Sequence, residues 1–128
     1  MKVRLRKNTI RFRLTQTEAA KLLTAGTVKD STSFGPGDDQ RLSYSIRADE
    51  HRERFAIGLS ANEIAAAVPA AALNEWLMGP LIELAGEQSI GDGQTIEIRI
   101  EKDLSCLKPR PGTDDDDTFP NPLRSEKC

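Results

Sequence analysis

Apolar and charged positions alternate strictly over residues 2–6 and 9–14. Val3 and Leu5, then Ile10, Phe12 and Leu14, fall on one side. Lys2, Arg4 and Arg6, then Arg11 and Arg13, fall on the other. A period of two is that of a half-buried strand. Lys7-Asn8 between the runs has turn chemistry, with Asn suited to positive φ. The chain is therefore predicted to open with a β-hairpin. The period then changes. Thr15-Gln16-Thr17-Glu18 fits a capping box, with the Thr15 hydroxyl at the N-cap and Glu18 reaching back to it. Leu22 and Leu23 supply an apolar stripe, and Gly26 sits where a left-handed residue ends a helix. A strand is predicted from Val28 to about Phe34, a turn over Phe34–Asp39, and a strand carrying Leu42, Tyr44 and Ile46.

The second half runs the same course at an offset of 54, Asn8 falling on Asn62. Strands are expected over Arg54–Leu59 and Ile64–Val68, around an Ala61-Asn62 turn. Pro69 opens a helix that carries Trp76 and Leu77, and Gly79-Pro80 stops it. Strands follow over Leu81 to about Ala85 and Thr95–Glu101, with Gly91-Asp92-Gly93 as a tight turn before the last. Apolar positions agree in register: Val3 with Ile57, Leu5 with Leu59, Leu22 with Trp76, Leu42 with Ile96, Ile46 with Ile100. These alignments predict two ββαββ repeats, 1–50 and 55–104, related by a pseudo-two-fold axis. The expected architecture is α+β: eight mostly antiparallel strands in one sheet or a partly closed barrel, with two packed helices and an irregular tail, 105–128.

A length of 128 residues is one domain's worth of chain and can build a core without metal or disulfide staples. With 18 basic and 20 acidic residues the net charge is −2, which argues against nucleic acid as the partner. No apolar run approaches the ~18 residues of a membrane span. Met1–Arg6 lacks the apolar core of a signal peptide, so a cytoplasmic location is expected. The tail contains Pro109-Arg110-Pro111-Gly112 and the acid run Asp114–Asp117. It regains apolar content at Phe119 and Leu123, which are expected to dock on the body.

Asn8-Thr9-Ile10-Arg11-Phe12-Arg13-Leu14-Thr15-Gln16, Phe34-Gly35-Pro36-Gly37, Glu101–Leu107, Phe119-Pro120-Asn121-Pro122 and Cys128 resemble a bacterial family of short uncharacterised proteins. The resemblance spans the full chain. It implies one domain to which the tail belongs, and it implies no assigned activity or catalytic residues.

The candidate site is Lys2, Arg4, Arg11 and Arg13. Around a Lys7-Asn8 turn, Arg4 faces Arg11 and Lys2 faces Arg13, and like charges across a hairpin are unfavourable. Either an anionic ligand or acidic partner neutralises them, or ion pairs inside the fold do, with Glu97, Glu101 or the acid run as counter-charge. The second half has Gly58, Ala65 and Ala67 where the first has Arg4, Arg11 and Arg13. Small residues allow another layer or chain to approach, compatible with a homodimer; Gly58 could also mark a bulge.

No acid, base or nucleophile set is legible, and His51 stands alone in a polar run. Cys106 and Cys128 with one histidine fall short of a zinc site, and no cofactor is expected. Asp38 and Asp92 read as turn formers. The favoured function is a non-enzymatic binding or interaction module with a cationic hairpin face. The alternative is a small phosphate-ester or triphosphate hydrolase with an Arg/Glu-lined interior, similar to the tunnel enzymes of the CYTH type. Their acidic first-strand signature is absent from Lys2-Val3-Arg4-Leu5-Arg6.

Overall fold

A computed structural model describes residues 1–104, 117, 119 and 120. The first hairpin is β1 (Lys2–Arg6) and β2 (Thr9–Leu14). Helix α1 (Gln16–Ala25) follows, then β3 (Thr27–Ser33) and β4 (Arg41–Asp49). The second half contains β5 (Ala56–Ser60), β6 (Glu63–Pro69), α2 (Ala70–Met78), β7 (Glu83–Gly91) and β8 (Gln94–Lys102). A short 3-10 turn, Asp38–Gln40, lies between β3 and β4. Both arms of the capping box at Thr15 and Glu18 are formed, and Gly26 closes α1 in the left-handed conformation at φ 81°. Gly79 ends α2 differently, with extended backbone. A Cβ there would stand 2.8 Å from the Glu75 carbonyl oxygen, so close approach is what requires glycine.

The strands divide into two four-stranded sheets, ordered β1-β2-β8-β7 and β3-β4-β6-β5. This replaces the expected single sheet or partly closed barrel. Each helix carries the chain from one sheet to the other, so each sheet combines one hairpin from either half. Within a hairpin the strands are antiparallel; where hairpins meet, β2 with β8 and β4 with β6, they are parallel. Local periodicity sets which face of a strand is apolar, but not which distant strand lies beside it.

The two parallel junctions have registers that coincide at the 54-residue offset: Thr9 faces Glu97, and Glu63 faces Ser43. The two asparagines explain why that residue stands in both turns. The Asn8 carbonyl accepts from the Glu97 N–H and the Asn62 carbonyl from the Ser43 N–H. Their carboxamides donate to the carbonyls of Thr95 and Asp39. The positive φ expected of Asn8 falls instead on Lys7, at 51°. In the second turn both Ala61 and Asn62 are left-handed. The outer hairpins diverge: Thr32 faces Leu42, whereas Gln88 faces Ile96, two residues out of step with the offset. An even shift keeps every side chain on its face.

The core lies between the sheets and under the helices. Ile10, Phe12, Leu14, Ile46, Val68, Ile98 and Ile100 are buried with Leu22 of α1 and with Leu73 and Trp76 of α2. Leu23 and Leu77 pack half-buried against them. The Trp76 indole N–H donates to the Ile82 carbonyl at 3.0 Å. Leu5 and Leu59, expected in the core, are 63% and 73% exposed. Their opposite numbers Ile10 and Ile64 lie next to the turns, at the end of the sandwich away from the helices. Alternation gives a residue's face but not its depth. Phe119 docks as expected, forming a bridge with Leu104 and packing on the core. Leu123, Cys106 and Cys128 lie outside the described residues.

Candidate functional site

Strand pairing arranges the outer face of the first sheet in rows. Lys2, Arg13, Glu101 and Glu83 form one row; Arg4, Arg11, Arg99 and Ala85 the next; Arg6, Thr9, Glu97 and Glu87 the third. The face therefore grades from cationic on β1 and β2 to anionic on β7. The arginines project here, outside the sandwich, while the interior holds Ile10, Phe12, Ile98 and Ile100. This overturns the Arg/Glu-lined interior of the hydrolase alternative. In a two-sheet sandwich the inward positions form the dry core, and alternation sends every arginine of the hairpin outward.

Much of the charge on this face is paired. The Glu101 carboxylate, only 11% exposed, stands 3.3 Å from Arg13 Nε and 3.7 Å from Arg11 Nη1. Lys2 Nζ stands 3.2 Å from Asp103, the residue that follows β8. Arg99 is held between Glu97 and Glu83, the latter at 3.0 Å. Its hydrogen bond to Glu97, with the Glu83 charge, pushes its pKa up. Of the expected counter-charges, Glu101 serves Arg11 and Arg13, whereas Glu97 is taken by Arg99 and Lys2 finds Asp103 instead. Asp117 lies elsewhere: its carboxylate accepts from the backbone N–H and hydroxyl of Thr17 at the start of α1. Those bonds hold it below the ordinary carboxylate range.

At the turn end of the same face the pairing stops. Arg4, Arg6 and Lys7 have no ion-pair or hydrogen-bond partner among the described residues. With Thr9 and Arg11 they line a pocket of about 270 Å³ that contains no carboxylate. Positive φ at Lys7 makes the tight turn that brings this lysine beside Arg6. In water, two like charges 4 Å apart repel by about 1 kcal/mol, which folding tolerates. An anion seated among them replaces repulsion with charge-assisted hydrogen bonds worth about 1.5–3 kcal/mol each.

Of the four residues singled out from sequence, Arg4 and Arg11 reach this pocket. Lys2 and Arg13 share the face but sit at its far end, in ion pairs. Arg6, Lys7 and Thr9 were missed. The signal for Arg6 was available, since it continues the alternation of Lys2 and Arg4. Gly58, facing Ala65 in regular register, marks no bulge, and a Cβ there would meet nothing within 4 Å.

Among the described residues, no group of three or more His, Cys, Asp or Glu side chains is arranged to hold a metal ion. Asp92 is left-handed in its turn, at φ 53°. The Asp49 carboxylate accepts from the His51 backbone N–H, which holds its pKa low with help from Arg47. No helix among the described residues is long and apolar enough to cross a membrane. No curated protein and no solved structure matches the chain. A family model does match it, over residues 1–123, and the chain accordingly belongs to a family of unknown function (DUF7009).

Proposed function

We propose that the protein is a binding module that takes an anionic group in the pocket formed by Arg4, Arg6, Lys7, Thr9 and Arg11. The observation that carries this reading is the unequal neutralisation of one sheet face. Carboxylates of β8 and Asp103 meet the cations at one end. At the other, four cations and a hydroxyl surround an open pocket without any carboxylate in its lining. Its volume of about 270 Å³ falls below the ~300–1,000 Å³ of pockets that enclose a whole drug-sized ligand. That size suits a phosphate-type group or the acidic side chains of a partner. Arg is well matched to both, because its planar fork donates two parallel hydrogen bonds to an oxyanion.

A cytoplasmic location is part of this proposal and rests on the cysteine count, two in 128 residues. Internal duplication is also proposed. Coincident registers at β2/β8 and β4/β6, and the matched roles of Asn8 and Asn62, support it. The two halves then differ most where Arg4, Arg11 and Arg13 stand against Gly58, Ala65 and Ala67, so the binding role falls to the first half.

Titration with inorganic pyrophosphate, followed by amide chemical shifts, tests the reading. The expected result is binding that weakens with added salt and centres on residues 4–11. Arg4→Ala combined with Arg11→Ala is expected to weaken it by about tenfold or more, the loss of roughly 1.4 kcal/mol. If that double variant binds pyrophosphate as wild type does, the pocket is not the site.

A further inference from the structure

We propose that the free edge of β1 accepts an extended acidic peptide as an added strand. This rests on the anion-binding reading and specifies its partner.

The sandwich has two seams, where the edge of one sheet runs beside the edge of the other. At the seam between β5 and β7, the Gln88 carboxamide accepts from the Ile57 N–H and donates to the Ile57 carbonyl, both at 2.9 Å. A side chain there stands in for a neighbouring strand. Those bonds also fix which backbone groups of β5 point away from its hairpin, because antiparallel residues alternate between inward and outward bonding. The β1–β2 register coincides with that of β5–β6: Val3 faces Phe12, and Ile57 faces Ala66. The N–H and C=O groups of Val3 and Leu5 therefore point outward from β1.

Among the described residues, nothing matching Gln88 meets them. The residue at the corresponding row of β3 is Thr32, opposite Leu42, and its hydroxyl lies 2.9 Å from the Tyr44 hydroxyl. Asp30, the next inward-facing residue of β3, turns to the Met1 amino group at 3.4 Å. Both are exposed, so this seam is open to solvent. Among the described residues, the outward groups of Val3 and Leu5 have no backbone partner on that side.

The side chains of β1 say what can pair there. Lys2, Arg4 and Arg6 line its outer face, and Leu5, 63% exposed, lies on the inner one. An incoming strand meets three cations on one side, and on the other the exposed Leu5 with Thr32 and Asp30 across the seam. It matches if carboxylates alternate with apolar residues, and carboxylates opposite Arg4 and Arg6 then reach the pocket. A second copy of this chain pairing through β1 would set lysine and arginine against arginine, which is unfavourable. The same charges that guard this edge against self-association select an acidic strand.

The probe is a synthetic peptide alternating Glu with Val, added to the full chain and followed by amide hydrogen exchange. At saturation the Val3 and Leu5 amides are expected to exchange about tenfold or more slowly. A peptide of the same sequence, N-methylated on the edge that would pair, is expected to bind about tenfold more weakly, having lost its backbone donors. Peptide binding that leaves Val3 and Leu5 exchange unchanged overturns strand addition and leaves the anion pocket standing. So does failure of the peptide to bind while pyrophosphate still does, or protection of the two amides by dimerisation without peptide. Failure of both probes removes the strand proposal and the pocket together.

Discussion

The side-chain amide of Gln88 makes two hydrogen bonds, both 2.9 Å, to the backbone N–H and carbonyl of Ile57. One residue on β7 thereby satisfies the edge of β5 across the gap between sheets. Gln88→Ala leaves both groups of Ile57 without that partner in a half-buried place. Stranding a buried polar group costs about 1–3 kcal/mol, and water reaching this edge puts the loss at the low end. Urea denaturation reads the change in stability. Exchange of the Ile57 amide is expected to speed up more than that of Ala66 opposite it. Uniform acceleration at both positions would show that the bridge does not act locally.

Gly86 and Phe55 meet at the same seam. A Cβ added at Gly86 would overlap the Phe55 ring. Gly86→Ala is expected to destabilise by about 1–3 kcal/mol, the usual cost of overpacking. Phe55→Ala alone removes part of a half-buried contact. The two changes together should cost less than their sum, because the small residue at 55 makes room for the methyl at 86. A strictly additive double-mutant cycle would mean the ring and the glycine are not in contact.

These two residues also explain why β7 was hard to read. Sequence periodicity ends the strand near Ala85, whereas it runs from Glu83 to Gly91. Gly86 weakens a strand pattern, yet it is there for the Phe55 ring. Gln88 is polar at an inward position, yet it is there for the Ile57 backbone. Both answer to residues 31 positions away in the chain, Ile57 of β5 and Phe55 just before it, which no local pattern encodes. Thr15, Gly26 and the Asp92-Gly93 turn were legible because their partners lie within a few residues. The site divides the same way. The β1–β2 register follows from the turn, so Arg4 opposite Arg11 was readable. Which arginines find carboxylates depends on β8 lying beside β2, and that placed Lys2 and Arg13 in ion pairs and left Arg4 and Arg6 open.

Lys102 offers a pH-dependent test of the tail's docking. Its ammonium donates to the Gly79 carbonyl at 3.0 Å, beyond the end of α2, and lies 5.7 Å from the Trp76 ring and 5.4 Å from the Phe119 ring. Burial pushes its pKa down. The unfolded chain, with lysine near 10.4, then holds this proton to higher pH than the folded one, so this group makes stability rise with pH below that value. Lys102→Met keeps much of the packing and removes the titration. The difference in urea midpoint between wild type and Lys102→Met is expected to shift in favour of wild type as pH climbs from about 8 to 10. A difference that stays flat over that range would mean the ammonium is not desolvated.

Glu101 sets how much of the cationic face is available to a ligand. It lies 3.3 Å from Arg13 and 3.7 Å from Arg11, and Arg11 also lines the pocket with Arg4 and Arg6. Glu101→Gln keeps the shape and removes the charge that competes for Arg11. Both arginines are more than a third exposed, so water shares their charge and the structural cost should be small, about 1 kcal/mol or less. Pyrophosphate affinity is expected to rise by up to about fivefold, since an ion pair whose arginines are open to water withholds at most about 1 kcal/mol from the competing anion. The gain should disappear when Arg11→Ala is added, because Arg11 is the residue released. Unchanged affinity in Glu101→Gln would place the bound anion away from Arg11, on Arg4, Arg6 and Lys7. A gain that survives Arg11→Ala would trace it to the general field of the sheet face.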